Sequence, residues 1–200
     1  NMLDSLSQLA DGTVAAFAWI DGEQKMFKVD PTAKTLTDCG ATTVEYYATA
    51  KNFGEDKHAL YYTKGSNFIR HDMSSGEETK VLNWISCDIA DVGSNSFILP
   101  DGRLAVLQQE YKNDHTETQL ALVSAVPASS LPQKVKLTFA TQNLDYNARK
   151  AIICFNRMNE SCRIDVKDYS EYNTATDFRA GYDKLVIDAI TGSAPDILVM

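Results

Sequence analysis

Three histidines, four cysteines and 27 acidic side chains are the groups in this 200-residue chain with chemistry suited to catalysis or metal binding. Their spacing assembles none of the usual devices. His58, His71 and His115 stand singly among strand-like runs, with no HExxH pair and no Ser or Cys nucleophile elbow beside them, and each reads as a surface or turn residue. Cys39, Cys87, Cys154 and Cys162 form no CxxC pair and have no His at ligand spacing. A Cys154–Cys162 disulfide is one reading of that pair; two small core residues is the favoured one. No two carboxylates can be placed on either side of a substrate from spacing alone. The expectation is a protein that is not an enzyme, with no cofactor and no metal site.

More specific chemistry lies in two loops, Gln142-Asn143-Leu144-Asp145-Tyr146 and Tyr169-Ser170-Glu171-Tyr172-Asn173. Both mix aromatic faces with amide, hydroxyl and carboxylate groups. A sugar needs that mixture, because its C–H faces stack on rings while its hydroxyls need paired donors and acceptors. The candidate ligand-binding residues are Gln142, Asn143, Asp145, Tyr146, Tyr169, Glu171, Tyr172 and Asn173. Each also has a plainer role to play: Asp145 as a helix cap, Asn173 in a turn, Tyr169 and Tyr172 in packing.

The elements that must position these loops alternate strand and helix. Val135–Thr141 has the β-branched and aromatic content of a buried strand. Tyr146–Asn159 has helical periodicity, with Ala148, Ala151, Ile152, Phe155 and Met158 on one face and Arg149, Lys150, Asn156 and Arg157 mostly on the other. Cys162–Tyr169 reads as a strand and Ala175–Thr191 as a helix with Phe178, Gly181, Tyr182, Leu185, Val186, Ala189 and Ile190 on one side. Gly192 and Pro195 end that helix, and Ile197–Met200 starts a third strand. Such an order implies parallel crossovers, and in an open parallel sheet the ligand crevice lies beyond the carboxyl ends of the strands. The two loops sit at those ends.

Before about Pro132 the grammar differs. Short strand-like runs (Thr13–Trp19, Gln24–Asp30, Ala59–Lys64, Asn67–Asp72, Thr79–Trp84, Ser96–Leu99, Arg103–Glu110 and Gln119–Ala125) are separated by turn residues such as Asp21-Gly22 and Ser74-Ser75-Gly76. Tyr46-Tyr47 and Tyr61-Tyr62 are expected to alternate between core and surface. Asp11-Gly12-Thr13-Val14 matches Asp101-Gly102-Arg103-Leu104 at an offset of 90 residues, and Asp56 to Tyr62 falls halfway. A period near 45 with several strands per unit is that of a β-propeller blade. The fold expected is therefore mixed β and α/β: antiparallel β-propeller-like blades followed by an incomplete parallel βαβαβ lobe. The domains expected are 1–127, a β-propeller-like repeat of about three blades; 128–133, a linker rich in Pro and Ser; and 134–200, the start of an α/β lobe. About three blades are too few to close a ring, and the apolar run Ile197-Leu198-Val199-Met200 reads as a strand inside a larger sheet, so the chain reads as an excerpt. An open strand edge there also invites strand exchange between two copies.

Residues Lys134 to Met200 resemble the start of the amino-terminal lobe in extracellular solute-binding proteins of ABC importers, particularly the sugar-type group. The likeness rests on Leu137-Thr138-Phe139-Ala140-Thr141, on Ala151-Ile152-Ile153-Cys154-Phe155-Asn156, on Tyr182 to Ala189, and above all on Gly192-Ser193-Ala194-Pro195-Asp196-Ile197. In that family a similar Gly-x-x-Pro-Asp-Ile run carries the chain from the second helix into the third strand. The resemblance implies two lobes closing on a small solute, a sugar by default, for delivery to ABC permease subunits. It also implies an extracellular protein held at the membrane as a lipoprotein. The alternatives are a β-repeat module that binds a protein or glycan, and a propeller accessory of a hydrolase whose catalytic part lies elsewhere.

Composition narrows the partners. A net charge of −8 and a sequence pI near 4.8 argue against a nucleic-acid binder, which needs clustered Lys and Arg to displace counterions. An apolar fraction of 44% is that of a folded chain.

Overall fold

The computed structural model describes residues 2–9, 11–21, 23–39, 56, 58–90, 96–112, 115–174 and 176–199. The chain divides into two compact units: Asn1–Trp84 with Asp91–Ala125, and Ile85–Ala90 with Val126–Met200.

The first unit is antiparallel β throughout its described residues. Strands β1 (Met2–Gln8), β2 (Val14–Ile20), β3 (Glu23–Asp30) and β4 (Thr35–Asp38) form one up-and-down sheet. Strands β5 (Ala59–Lys64), β6 (Asn67–Asp72) and β7 (Glu78–Asn83) form a second, and β8 (Ser96–Ile98), β9 (Leu104–Lys112) and β10 (His115–Val123) a third. Among the described residues these sheets do not close into a ring. The sequence repeat is a repeat of backbone geometry, since β2, β5 and β9 begin 45 residues apart, at Val14, Ala59 and Leu104.

The turns before β2 and β9 share their hydrogen bonds. Leu9 N donates to Thr13 O at 2.7 Å, Gly12 N to Leu9 O at 3.0 Å, and Thr13 N to Asp11 Oδ1 at 2.8 Å. Leu99 N donates to Arg103 O at 2.7 Å, Gly102 N to Leu99 O at 2.9 Å, and Arg103 N to Asp101 Oδ1 at 3.1 Å. Gly12 and Gly102 adopt φ of 87° and 81°, a region that disfavours any side chain. The Asp-Gly pair thus has two jobs: the carboxylate closes the loop and the glycine reverses it.

Leu9, Ala15, Phe17 and Met26 of the first repeat pack against Leu60, Tyr62 and Ile69 of the second. Strand β5 is buried on both faces from Ala59 to Thr63. Tyr61 and Tyr62 are therefore both inside, where alternation had placed one outside. The reason is packing against both faces of β5, which side-chain periodicity does not register. Tyr46-Tyr47 lie outside the described residues. Trp84 is fully buried, its ring centroid 5.0 Å from that of Phe68 and its Nε1 donating to Thr63 Oγ1 at 3.1 Å.

In the second unit, β11 (Val135–Thr141), β12 (Cys162–Asp168) and β13 (Ile197–Val199) form a parallel sheet in the order β12-β11-β13. The intervening helices are α1 (Tyr146–Met158) and α2 (Ala180–Ile190). Phe139 packs with Ile152 and Ile153 of α1, whereas its neighbour Ala140 packs with Leu185 of α2. Successive strand residues face opposite ways, so the helices cover opposite faces. Asp196 Oδ2 accepts from Thr138 N at 2.7 Å, which ties the start of β13 to β11.

Several facing assignments need correction. Asn156 is buried, not outward: its amide donates to Ile164 O at 2.9 Å and accepts from Ile164 N at 2.7 Å, acting as a fragment of strand beside β12. Ala151, Cys154 and Met158 are exposed, so Cys154 is no core residue, and none of the four thiols is in a disulfide. On α2 the buried residues are Gly181, Leu185 and Asp188; Tyr182, Val186, Ala189 and Ile190 are exposed, as is Phe178 ahead of the helix. A hydrophobicity pattern ranks residues by polarity and has no way to anticipate that a paired Asp takes an inner position.

Six residues from within the β-rich stretch, Ile85–Ala90, belong to the second unit. Ile85 is buried in the α1-side core with Ala90 beside it. Arg163 Nη2 donates to Ile85 O at 3.2 Å, Ser86 O at 2.6 Å and Asp88 Oδ1 at 3.0 Å, and Arg157 Nη2 donates to Asp88 O at 2.6 Å. No described helix is long and apolar enough to cross a membrane.

Candidate functional site

Thr141 pairs with Asp168 across β11 and β12, so Gln142 and Tyr169 leave the parallel sheet side by side at its carboxyl end. Thr141 also pairs with Val199 of β13. The chain goes from β11 to β12 on one side and then to β13 on the other, so strand order reverses at β11. That reversal opens a crevice between neighbouring loops, where open α/β sheets take their ligands.

The first loop presents much of its polar chemistry outward. Asn143 and Tyr146 are exposed, and Lys150 Nζ lies 5.6 Å from the Tyr146 ring centroid. Leu144 is buried as the anchor, and Thr141 Oγ1 holds the turn by donating to Asn143 O at 2.9 Å. Asp145 caps α1, its Oδ1 accepting from Asn147 N at 2.8 Å and Ala148 N at 3.1 Å. Gln142 is half-buried, and its amide Nε2 has no hydrogen-bond partner among the described residues. An amide donor without a partner is costly and calls for an acceptor.

The second loop is a 3-10 turn, Tyr169–Tyr172, and it is mostly structural. Tyr169 is 1% exposed, with its hydroxyl donating to Asp188 Oδ2 at 2.8 Å. Asn173 Oδ1 accepts from Gly181 N at 2.8 Å and so serves the first turn of α2. Tyr169 is thus inside the fold and half-buried Asn173 serves the helix end, so both hold the loop in place. Glu171 and Tyr172 are exposed, with the Tyr172 ring centroid 5.9 Å from that of Tyr169. Beneath them Asp188 is buried and also accepts from Lys167 Nζ at 2.6 Å and from Lys184 Nζ. The two ammonium groups, Lys167 first, and the tyrosine hydroxyl hold its carboxyl well below the ordinary carboxylate range.

Two polar clusters in the first unit went unread in the sequence. Arg70 grips Asp56 with two bonds, Nε to Oδ2 at 2.6 Å and Nη2 to Oδ1 at 3.1 Å, and reaches Asp72 Oδ2 at 3.2 Å. Tyr61 donates to the same Asp56 carboxylate at 2.8 Å; burial, then that bond, pushes its phenol up to about 12. The Arg70 bond chiefly lowers the Asp56 carboxyl. In the second cluster Tyr62 donates to Glu78, Lys64 Nζ lies 3.0 Å from Glu78 Oε2, and His71 Nδ1 lies 4.0 Å from Glu78 Oε1. His71 is buried at 2% exposure, correcting its expected surface position, while His58 is exposed with Nδ1 2.9 Å from Asp11 Oδ2. Alternation along β6 carries the signal, because His71 shares a face with Ile69. The cluster around Asp56 is internally paired and offers no activated nucleophile. No group of three or more His, Cys, Asp or Glu among the described residues could hold a metal ion.

His71 has a measurable consequence. Its ring nitrogens have no hydrogen-bond partner among the described residues, and burial pushes its pKa down despite Glu78 and Asp72, with Lys64 adding to the shift. The unfolded chain takes up that proton below about pH 6.5, whereas the folded chain resists it. Stability therefore falls as pH drops below about 6.5 and levels off below the folded-state pKa. Urea midpoints of wild type and His71→Leu measured across this range are expected to diverge, with the variant losing this part of the slope. Equal slopes would show that His71 titrates as in the unfolded chain.

No family model matches the chain, and no curated protein does. Matches to solved structures are partial and distant. TolB from Acinetobacter baumannii matches at a TM-score of 0.40 and 15% identity, over 60% of this chain and 29% of that one. The extracellular domain of a putative hybrid two-component system from B. thetaiotaomicron matches at 0.37 and 12%, over 66% of this chain and 18% of that one. Puromycin hydrolase matches at 0.28 and 15%, over 96% of this chain and 31% of that one. The chain spans less than a third of the length of each.

Proposed function

We propose that this chain belongs to an exported solute-binding protein of an ABC importer, acting by capture without covalent chemistry. The second unit would supply part of one lobe, with a sugar held against the loop Gln142–Tyr146 and presented to permease subunits after lobe closure. Lipid anchoring at the membrane is part of the same proposal. One observation carries it: strand order reverses at β11, and the loop leaving that strand combines exposed Asn143 and Tyr146 with the partnerless amide of Gln142. Tyr172 and Glu171 stand on the neighbouring loop to complete the polar-aromatic surface.

The test is a titration of the isotopically labelled chain with mono- and oligosaccharides, read by amide shifts. Shifts confined to Gln142–Tyr146 and Glu171–Tyr172 are expected, and Tyr146→Ala should weaken the response about fivefold, as loss of one stacking contact of ~1 kcal/mol does. Silence of those amides toward every sugar at millimolar concentration would overturn the reading.

A second reading takes the β-rich unit as the working part, a module that binds a protein or glycan, or a propeller accessory of a hydrolase. Its support is the repeated Asp-Gly turn, shared bond for bond by the first and third repeats. The three solved structures are propeller-like proteins and none is a solute-binding protein, which fits this reading more closely than the first. Glycan-induced shifts on β2, β5 or β9, with none at the second unit, would favour it.

A further inference from the structure

The third sheet of the first unit has one covered face and one largely exposed to solvent. Ser96, Leu104 and Val106 point to the covered side, at 4%, 5% and 0% exposure. The opposite side carries Leu107, paired across the ladder with Leu120, and Ala105, flanked by Leu122 on β10 and Phe97 on β8. Leu107, Leu120, Leu122 and Phe97 are 37%, 66%, 50% and 55% exposed. Alternate residues of neighbouring strands share a face, so these four side chains form one apolar patch. A contiguous patch of this kind marks an interaction surface more often than scattered apolar residues do.

The repeat identifies what such a face meets. Phe17, Tyr62 and Leu107 occupy the same place in β2, β5 and β9, spaced 45 residues apart. Each has an apolar cross-strand partner on the following strand: Met26, Ile69 and Leu120. In the first two repeats these pairs bury one another, since Phe17, Met26, Tyr62 and Ile69 belong to one core cluster. Like face meets like face. The third pair, Leu107–Leu120, is the equivalent surface left in solvent.

We propose that this face docks on the same face of a second copy of the chain, sheet on sheet. The equivalent faces of the first two repeats share one core cluster, so a face of this geometry can meet its like, and a second copy presents the Leu107–Leu120 face to itself about a two-fold axis. The contact is side-chain packing between sheet faces and needs no exchange of strands. Four partly exposed side chains a side make a modest interface, which suits a reversible dimer in the micromolar range.

Sedimentation velocity of the 200-residue chain over about 1–200 μM tests the proposal, that range bracketing a dimer of this strength. The expected result is a concentration-dependent monomer–dimer equilibrium that Leu120→Glu weakens at least about tenfold, as loss of a central apolar contact does. Leu120 already faces solvent, so the variant should keep the wild-type far-UV spectrum and urea midpoint. Phe178→Glu, which alters an exposed apolar residue of the other unit, should leave the equilibrium unchanged. Mixing Leu120→Glu with Leu120→Lys should restore dimers by placing opposite charges face to face. A monomer throughout the range, a dimer indifferent to Leu120→Glu, a dimer dissociated by Phe178→Glu, or a mixture that stays monomeric would each overturn it.

Discussion

Gly181→Ala is expected to destabilise the second unit strongly while leaving the first intact. A Cβ at this position would stand 2.0 Å from Tyr169 O, 2.8 Å from Tyr169 C and 3.0 Å from Asn173 Oδ1. The nearest two are backbone atoms of the 3-10 turn that follows β12, so no rotamer change relieves the clash. Either the turn or α2 must move. Movement would break the Gly181–Asn173 bond of 2.8 Å and disturb the Tyr169–Asp188 bond of 2.8 Å. Overpacking with backbone displacement costs about 3 kcal/mol, a large share of the roughly 5–15 kcal/mol that holds a domain together. Trp19 and Trp84, the two tryptophans, both lie in the first unit, so indole fluorescence follows that unit alone. Helical circular dichroism follows α1 and α2. In urea the dichroism transition should shift to much lower denaturant while the fluorescence transition stays in place. A dichroism midpoint within error of wild type would mean that Tyr169 and Gly181 are not this close.

Trp84→Ala should do the reverse. Trp84 is buried completely, packs against Phe68 with the rings tilted by 50° and donates to Thr63 Oγ1, and its backbone N donates to Ser66 O at 2.8 Å. Removing a buried indole costs about 3–5 kcal/mol through lost transfer energy and the cavity left behind. Thr63, itself buried, loses its donor in the same change. The first unit should therefore unfold at far lower urea, followed by the remaining Trp19, while the helical signal of the second unit persists. Trp84→Phe keeps most of the volume and should cost about 1–2 kcal/mol, chiefly the unmade hydrogen bond. A loss below about 1 kcal/mol for Trp84→Ala would contradict the packing described.

Much of the second unit was legible as sequence. The strand Val135–Thr141 was read to its ends, α1 to within a residue, and the cap at Asp145 and the stop at Gly192 were both identified from residue type. These signals are local, arising from backbone donors that need a carboxylate and a helix end that needs positive φ. Helix α2 starts at Ala180, later than periodicity suggested, because the preceding residues form turns bonded among Thr174 and Asp177. Strands β1 and β4 were missed. Strand β4 is exposed at each position, with no alternation to find, and pairing with β3 alone makes it a strand.

The candidate site was legible in part for the same reason. Its location followed from strand order, and its residue types were evident. Which side chains face outward was not. Tyr169 and Asn173 look like sugar-binding residues in the sequence, yet Asp188 and Gly181, each more than five positions away, draw them into the fold.

By itself the sequence determined the two grammars, the 45-residue repeat with its Asp-Gly turns, and the strand–helix order of the second unit. Each depends on properties of a short window: φ at a glycine, a cap, a period of two or 3.6. Tertiary structure alone decided that β5 is buried on both faces, that His71 and Asp188 lie inside, and that Ile85 and Ala90 join the core beside α1. Burial is a property of what lies opposite, and what lies opposite is set by contacts between residues as far apart as Ile85 and Arg163.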